Sequence, residues 1–274
     1  MKINNSVIKY IFCDLDGTLL NDNKKISIKE INYIKKLKSE MNFKFGIATG
    51  RALSSVLPLS KNIGMDEIVD VYIINNGVET LNVSNDKIEK LEFISISEIK
   101  EIIEIFGKYD FINIGFHNDN CLFALRNSNR IQSVLKFNNK EILKSPFYSD
   151  FTETPRVMLF FDEADQKKVL NIAETIEFSN LRGILSEKNV YEFVNKDVSK
   201  AVAVNNYVQK YNDSLNNVLF FGDGENDLEM LSRAKISVAM KNGAEKAKSQ
   251  AKYVTEFSNN EDGIYHFLKS NKIF

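Results

Sequence analysis

The chain of 274 residues contains no tryptophan, three prolines, two histidines and two cysteines. Cys13 and Cys121 are too few to build a disulfide framework. Cys13 falls within an apolar run, so we expect it to be a small buried side chain. No apolar stretch approaches the roughly 20 residues that a membrane-spanning helix needs. These absences exclude a disulfide-stabilised scaffold and a helical membrane protein.

An excess of charge of either sign is also lacking, because 36 Lys and Arg residues face 37 Asp and Glu residues. There is no long basic run, and therefore no electrostatic footprint for nucleic acid. The N-terminus has no signal-peptide pattern, since Lys9 and Asp14 interrupt its only apolar run. We therefore expect a soluble, cytoplasmic protein that binds neither nucleic acid nor membrane and has no obligatory protein partner.

Two carboxylates follow the apolar run 7–13, in the segment Asp-Leu-Asp-Gly-Thr at residues 14–18. Ligands of an open α/β sheet bind beyond the carboxyl ends of its parallel strands, where Asp14 and Asp16 would lie. Gly17 permits a tight turn there. Taken alone, the segment is also compatible with an ordinary turn, because Asp-Gly is a common turn pair.

A second acidic strand end argues against that simpler interpretation. The apolar run 218–221 leads into Gly-Asp-Gly-Glu-Asn-Asp at residues 222–227. Several carboxylates at one sheet edge repel each other unless a cation or shared protons offset their charge. Because these motif residues offer only oxygen ligands, they favour a hard ion, and Mg²⁺ suits a site that leaves positions open for water and phosphate oxygens.

Two further segments carry groups that bind anions. Thr49, Gly50 and Arg51 follow the predicted strand 43–48 and offer a hydroxyl, a flexible backbone and a guanidinium. Lys200 falls in the first turn of a predicted helix, an end where the helix dipole disfavours a cation. A bound anion would account for that placement. A solvated surface lysine is the alternative.

The four segments, in order, resemble the motifs of the haloacid dehalogenase-like phosphohydrolase superfamily, specifically its Cof-type phosphatases with a large inserted cap. Residues 14–18 resemble the first motif, 49–51 the second, Lys200 the third and 222–227 the fourth. Ala201 is a departure, because the family usually has Gly after this lysine. The extra methyl group puts the reach of Lys200 in doubt without removing its charge.

The resemblance implies a role for each motif residue. Asp14 would be the nucleophile that forms an aspartyl-phosphate, and Asp16 the general acid and base. Mg²⁺ would be held by the Asp14 side chain, the Asp16 backbone carbonyl and Asp223, with Asp227 supporting them. The implied groups that bind the phosphoryl oxygens are the Leu15 backbone amide, Thr49, Gly50, Lys200 and Asn226. For Arg51, a contact with substrate or cap and an ion pair with a core acid are equally open.

The segments predict a doubly wound, Rossmann-like α/β core with a parallel sheet and an inserted α/β cap. Core strands are predicted at 7–13, 43–48, Val71–Ile74, 218–221 and Ile236–Ala239, with a helix starting after Ser27 and a returning strand at 190–194. We predict the core at residues 1–82 and 189–274, and the cap at 83–188. In the family the cap selects the substrate, and its residues here show no recognisable motif.

The function that the resemblance implies is a Mg²⁺-dependent phosphatase for a small phosphorylated metabolite. A sugar phosphate, flavin mononucleotide and pyridoxal phosphate are the substrate classes implied. A phosphomutase of the same superfamily, which returns the phosphoryl group to its substrate, is an alternative. Another is a Mg²⁺-dependent binding protein without catalysis. A signalling receiver domain shares the acidic sheet edge but has no need for Asp16.

Overall fold

The computed structural model of the protein describes residues 8–118, 121–129, 131–132, 142–144 and 151–271. Contacts divide the chain into two compact units, Met1–Lys90 with Ser199–Phe274, and Leu91–Val198. The domain limits predicted from sequence, with the insert at 83–188, remain a proposal.

Strands and helices alternate along most of the chain. In chain order the described strands are β1 (Tyr10–Cys13), β2 (Lys44–Ala48), β3 (Val71–Ile74), β4 (Glu79–Asn82), β5 (Lys87–Lys90), β6 (Asn113–Asn118), β7 (Cys121–Ala124), β8 (Ile142–Lys144), β9 (Val157–Phe160), β10 (Leu181–Glu187), β11 (Val190–Asn195), β12 (Val218–Gly222), β13 (Ile236–Ala239) and β14 (Tyr253–Val254). The helices with both ends described are α1 (Ile28–Met41), α2 (Leu53–Asn62), α3 (Ile96–Phe106), α4 (Gln166–Ala173), α5 (Lys200–Gln209), α6 (Leu228–Arg233), α7 (Glu245–Gln250) and α8 (Gly263–Asn271).

The sheet of the first unit has the strand order β14-β13-β12-β1-β2-β3-β4-β5. Strand β1 pairs in parallel with both β12 and β2, and β2 pairs in parallel with β3, whereas β4 pairs antiparallel with both β3 and β5. The chain therefore winds outward from β1 on one side and from β12 on the other. An open α/β sheet binds ligands at this switch point, beyond the carboxyl ends of its strands. The predicted doubly wound fold is confirmed.

The central strands form because their side chains are apolar almost without interruption. Every residue of β1, β3 and β12 is buried, as is typical of parallel strands with both faces covered. Strand β1 begins at Tyr10, and the predicted start at Val7 lies outside the described residues. Helix α1 begins after Ser27, whose hydroxyl accepts a hydrogen bond from the Glu30 amide at 3.1 Å.

The second unit contains a sheet with the strand order β10-β11-β9-β6-β7-β8. Ile99, Ile102 and Phe106 of α3 lie in its apolar core. Strand β11 pairs antiparallel with β9 and β10, so it belongs to this sheet. The prediction that this strand begins the returning core is therefore wrong. A short apolar run identifies a strand but not the sheet that it joins.

Strands β4 and β5, which extend the first sheet, were not predicted. Their sequences, Glu-Thr-Leu-Asn and Lys-Ile-Glu-Lys, are short and rich in polar residues. Strand β5 is the edge of the sheet, where its charged side chains discourage pairing with other chains. Among the described helices, none combines the length and the apolar character that crossing a bilayer requires.

Candidate active site

Polar residues follow four adjacent strands of the first sheet at their carboxyl ends. Asp223 follows β12, Asp14 follows β1, Thr49 follows β2 and Asn75 follows β3. The order of these strands places the first, second and fourth motifs beside one another, although they are up to about two hundred positions apart along the chain. The sheet therefore gathers the three motif residues among these, Asp14, Thr49 and Asp223, at its switch point.

Lys200 is a buried cation between two buried carboxylates. Its Nζ atom lies 2.6 Å from Asp14 Oδ1 and 2.7 Å from Asp227 Oδ1, and its side chain is 0% exposed. Burial alone would lower the pKa of Lys200, but the charges and hydrogen bonds of the two aspartates raise it above its ordinary value. The lysine is therefore a fixed positive charge beside Asp14.

Ala201, the departure from the family pattern, does not prevent this reach. It is fully buried in the first turn of α5, directly after Lys200. The Ser199 hydroxyl caps the helix by accepting a hydrogen bond from the Val202 amide at 3.1 Å. The methyl group is thus accommodated in the packed first turn while Lys200 contacts both carboxylates.

Asp227 supports its neighbours through both carboxylate oxygens. Oδ1 accepts from Lys200, and Oδ2 accepts from the backbone amides of Asp223 and Gly224 at 2.9 and 3.0 Å. The side chain is entirely buried. Because both oxygens are engaged, Asp227 is better placed to orient Lys200 and Asp223 than to coordinate an ion directly.

Three carboxylates meet closely enough to share a cation. One oxygen from each of Asp14, Asp223 and Asp227 lies within 4.8 Å of the others. The Oδ2 atoms of Asp14 and Asp223 accept no hydrogen bond from the described residues. This donor set consists of carboxylate oxygens alone, with two of them open, and it fits a hard ion such as Mg²⁺.

The electrostatics of the cluster also favour a cation. Burial raises the pKa of Asp14 well above its ordinary value, and the charges of Asp227 and Asp223 add to that rise against the opposing effect of Lys200. Burial, followed by the charge of Asp227, raises the pKa of Asp223 to about 6. A divalent ion would offset this repulsion and keep both carboxylates ionised.

Gly17 and Thr18 fit the first motif closely against Asp223. Gly17 has a φ of +84°, and a Cβ atom added to it would lie 2.4 Å from Asp223 Oδ2. The Thr18 hydroxyl donates a hydrogen bond of 2.6 Å to Asp223 Oδ1. A side chain at position 17 would therefore be strained and would displace this carboxylate.

Asp16 is held by two cations. Arg51 donates from Nε to Asp16 Oδ2 at 2.5 Å and from Nη2 to Oδ1 at 2.7 Å, and Lys24 Nζ lies 2.6 Å from Oδ1. Burial acts to raise the pKa of Asp16, but the hydrogen bonds and charge of Arg51, followed by those of Lys24, hold it below its ordinary value. Of the interpretations left open for Arg51, the structure shows the ion pair with a core acid.

The second motif forms a compact loop after β2. Thr49 is buried, its amide donates to the Ile73 carbonyl at 2.8 Å, and its hydroxyl accepts from the Arg51 amide at 3.2 Å. Gly50 lies against the side chain of Asn76, whose Oδ1 would be 3.0 Å from an added Cβ. Because β2 pairs in parallel with β1, Thr49 and Gly50 follow the strand that lies beside the one leading to Asp14.

Leu15 and Asn226 complete the predicted phosphoryl-binding set. The Leu15 side chain is buried in the core, and its carbonyl accepts from the Leu20 amide at 2.8 Å. Asn226 directly precedes Asp227, and its Nδ2 atom donates to Asn76 Oδ1 at 2.9 Å. Both residues therefore belong to the same strand-end region as Asp14.

Sequence reasoning assigned no role to three residues that touch this site. Thr18 lies within the first motif, so its position in the sequence could have indicated that its hydroxyl contacts the site. Asn76 lies in an Asn-Asn-Gly sequence after β3, which is typical of an ordinary turn. Lys24 pairs with Asp16 across a loop, and nothing in its local sequence indicates that contact.

Comparisons with known proteins agree with these observations. A Mycoplasma genitalium protein provisionally named a phosphatase is 28% identical over 276 residues, which cover 96% of this chain and 98% of its own. The Bacillus subtilis protein named 5-amino-6-(5-phospho-D-ribitylamino)uracil phosphatase YitU is 25% identical, with 94% and 96% covered. The solved structure of TM0651 from Thermotoga maritima is 27% identical and superposes with a TM-score of 0.80, covering 96% of this chain and 97% of that one.

The family model described as haloacid dehalogenase-like hydrolase matches residues 11–268. That match includes all four motif segments and both units of the fold. The resemblance inferred from the motifs is thereby confirmed, and the chain belongs to the haloacid dehalogenase-like hydrolases.

Proposed function

We propose that this hydrolase is a Mg²⁺-dependent phosphatase that acts on a small phosphorylated metabolite through an aspartyl-phosphate on Asp14. The observation that carries the proposal is the buried contact of Lys200 with Asp14 and Asp227, at 2.6 and 2.7 Å, at the switch point of the sheet. A structural ion pair would not need a third carboxylate, Asp223, crowded against it.

In the proposed first step, a carboxylate oxygen of Asp14 attacks the phosphorus of the monoester. A bond forms between that oxygen and phosphorus, and the bond from phosphorus to the leaving oxygen breaks. Lys200 offsets negative charge on the phosphoryl oxygens, and Thr49, Gly50, Asn226 and the Leu15 amide orient them. The buried setting strengthens these interactions because little water competes for the phosphoryl group.

Asp16 moves the proton in both steps of the proposal. It gives a proton to the leaving oxygen and later removes one from the water that attacks the phosphorus of the intermediate. That second attack releases inorganic phosphate and restores the Asp14 carboxylate. Arg51 and Lys24 hold Asp16 in its ionised form before substrate binds, so Asp16 takes up the proton that it donates from solvent as substrate binds.

Mg²⁺ would be held by the side chains of Asp14 and Asp223 and by the backbone carbonyl of Asp16. Asp227 would orient Asp223 by accepting a hydrogen bond from its backbone amide. Bound there, the ion supplies charge that neutralises the transferring phosphoryl group.

The substrate class is inferred from the relatives. The Bacillus subtilis relative is named for the phosphate ester of a ribitylaminouracil. A polyol or sugar phosphate attached to a small ring is therefore the first class to test, beside the simpler sugar phosphates, flavin mononucleotide and pyridoxal phosphate.

The proposal is tested by release of inorganic phosphate from this panel, with Mg²⁺ and with chelator. We expect release only with Mg²⁺, and the rank order of the panel narrows the substrate class. In the matched control Asp14→Asn, the amide oxygen can still accept a hydrogen bond from Lys200, but the side chain is a poor nucleophile. We expect this variant to fold and to lose turnover by at least about a thousandfold.

Retained turnover in Asp14→Asn would remove Asp14 from the mechanism. A folded wild-type chain that binds Mg²⁺ but releases no phosphate from any compound would favour the phosphomutase or the binding protein instead. Transfer of labelled phosphate between two positions of one sugar would then identify the mutase.

A further inference from the structure

The turn after β3, Asn75–Gly77, has an unusual backbone. Its three residues have successive φ values of 49°, 57° and 102°, in the left-handed region that favours glycine. Two of the three are asparagines, and all three are buried. Residues with side chains adopt this conformation at an energetic cost, so such a turn persists only where its surroundings hold it.

The backbone of this turn contacts the loops that carry two proposed phosphate-binding motifs. The Asn75 amide donates to the Arg51 carbonyl at 2.9 Å, and the Asn76 amide donates to the Thr49 carbonyl at 3.0 Å. A Cβ atom added to Gly77 would lie 2.2 Å from the Ser199 carbonyl oxygen. The turn is thus packed between the second motif and the first turn of the Lys200 helix.

The side chain of Asn76 provides the contact with a third motif. Its Oδ1 atom accepts the 2.9 Å hydrogen bond from Asn226 Nδ2, and its amide lies against Gly50. A carboxamide nitrogen carries two hydrogens, so the bond to Asn76 uses one and leaves the other for a further acceptor. The same bond fixes which end of the Asn226 amide is the donor.

We propose that Asn76 is a positioning residue for phosphoryl binding, acting through Asn226 and the Gly50 loop. By accepting from Asn226, it turns the second hydrogen of that amide toward the phosphoryl oxygens, and its bulk fixes the loop at Gly50. The role rests on the proposed function, in which Gly50 and Asn226 bind those oxygens. Asn76 itself is 2% exposed and need not touch the substrate.

Equilibrium binding of inorganic phosphate in the presence of Mg²⁺, measured by calorimetry, tests this role without requiring turnover. Asn76→Gly removes the amide and suits the positive φ, because glycine adopts that conformation readily. We expect its dissociation constant for phosphate to rise about tenfold, the usual scale for one hydrogen bond to a charged group. Asn76→Ser serves the same comparison if the glycine variant does not fold.

Asn75→Gly is the matched control. Asn75 is buried, adjacent and also left-handed, but its Nδ2 atom donates to Glu79 Oε2 at 2.7 Å rather than contacting a proposed phosphate ligand. We expect this variant to bind phosphate within about twofold of the wild type. If the substitutions act by loosening the whole turn, phosphate binding would be weakened equally in both variants, and this result would overturn the proposal.

A double-mutant cycle with Asn226→Ala separates action through Asn226 from an independent effect. We expect Asn76→Gly to weaken phosphate binding much less in the Asn226→Ala background than in the wild type, because only the part of its effect that passes through the Gly50 loop remains. Losses that multiply would overturn the inference. If the wild type binds phosphate but hydrolyses no ester, the proposed function fails. The ratios of the variants' dissociation constants for phosphate to that of the wild type still decide the role of Asn76. If the wild type hydrolyses esters and Asn76→Gly binds phosphate as tightly as the wild type does, only the role of Asn76 is overturned.

Discussion

At the scale of single residues, Arg51 is paired with the carboxylate of Asp16. Its guanidinium makes two hydrogen bonds to the Asp16 carboxylate, and its side chain is 10% exposed. Planar, two-point contacts of this kind fix the orientation of a carboxylate better than a single flexible cation does. We infer that Arg51 orients the proposed acid and base rather than binding the phosphoryl group.

Arg51→Gln should therefore lower kcat while leaving phosphate affinity nearly unchanged. Without the guanidinium, Asp16 samples other positions and meets the leaving oxygen less often, and we expect kcat to fall about tenfold or more. Steady-state kinetics and the inhibition constant for inorganic phosphate measure the two effects separately.

Lys24→Gln is the control for charge alone. It removes a cation that lies 2.6 Å from the same carboxylate but is 48% exposed and more flexible. A smaller loss of kcat than in Arg51→Gln would indicate positioning. Weakened phosphate binding with unchanged kcat in Arg51→Gln would instead return Arg51 to the substrate-binding interpretation.

At the scale of elements, helices α1 and α8 meet around a buried acid. Glu30 of α1 is 3% exposed, and its Oε1 atom accepts from the Tyr265 amide of α8 at 2.9 Å. Burial raises the pKa of Glu30 to about 7, against the lowering effect of that amide, and the charge of Asp262 adds to the rise. The junction between these helices therefore favours the protonated form.

The sign of the resulting pH dependence follows from the raised pKa. A carboxyl group with a folded-state pKa of about 7, above its unfolded value, stabilises the fold at low pH, and this contribution is lost as pH rises toward 7. Glu30→Gln does not titrate, and its oxygen can still accept from Tyr265. Between pH 5 and pH 8 we expect the variant to gain about 2 kcal/mol of unfolding free energy relative to the wild type.

Urea unfolding at the two pH values measures this difference. Glu40→Gln, at an exposed position in the last turns of α1, is the matched control and should show no such gain. A constant difference between Glu30→Gln and the wild type at both pH values would show that Glu30 is not protonated in the fold.

How far the sequence predicts the elements depends on their burial. Fully apolar strands such as β1, β3 and β12 were predicted to within a few residues, because their composition and length admit few other structures. The polar strands β4 and β5 were missed, since they are stabilised by pairing with a neighbouring strand rather than by their own composition. The sheet assignment of β11 likewise depends on partners that are distant in sequence.

The same limit applies to the candidate site. The motifs identify Asp14, Lys200 and Asp223, but the sequence cannot show that Asp227 uses both oxygens on protein groups or that Arg51 pairs with Asp16. Those contacts arise only after the sheet brings distant strand ends together. The sequence therefore predicts which residues come together, but it does not predict the hydrogen bonds and ion pairs that they form.

At the scale of the whole molecule, the acidic cluster lowers the free energy of unfolding while it provides the proposed Mg²⁺ ligands. Two buried carboxylates and the partly buried Asp223 face one lysine, and the pKa of Asp223 is raised to about 6. A raised carboxyl pKa costs stability above that pH, because the unfolded chain ionises more easily than the fold. Asp223→Asn removes this cost, and its oxygen can still accept from Thr18.

We therefore expect Asp223→Asn to be more stable than the wild type in chelator at pH 7.5, by on the order of 2 kcal/mol. Added Mg²⁺ should stabilise the wild type, because a ligand that binds only the folded state shifts the equilibrium toward it. The variant should gain much less, since one of the proposed ligands is gone. Thermal unfolding with chelator and with Mg²⁺ measures both effects in the same chain.

Glu225→Gln is the matched control, because it removes the same charge two residues away. Its carboxylate is exposed and pairs with Lys246 at 3.1 Å, so its loss should alter neither the chelator stability nor the gain from Mg²⁺ appreciably. An Asp223→Asn chain less stable than the wild type in chelator would show that the cluster is not repulsive. An equal Mg²⁺ gain in both chains would place the ion elsewhere. The expected pattern, a chain that is more stable but no longer responds to Mg²⁺, would show that the carboxylates are kept together for the ion and not for the fold.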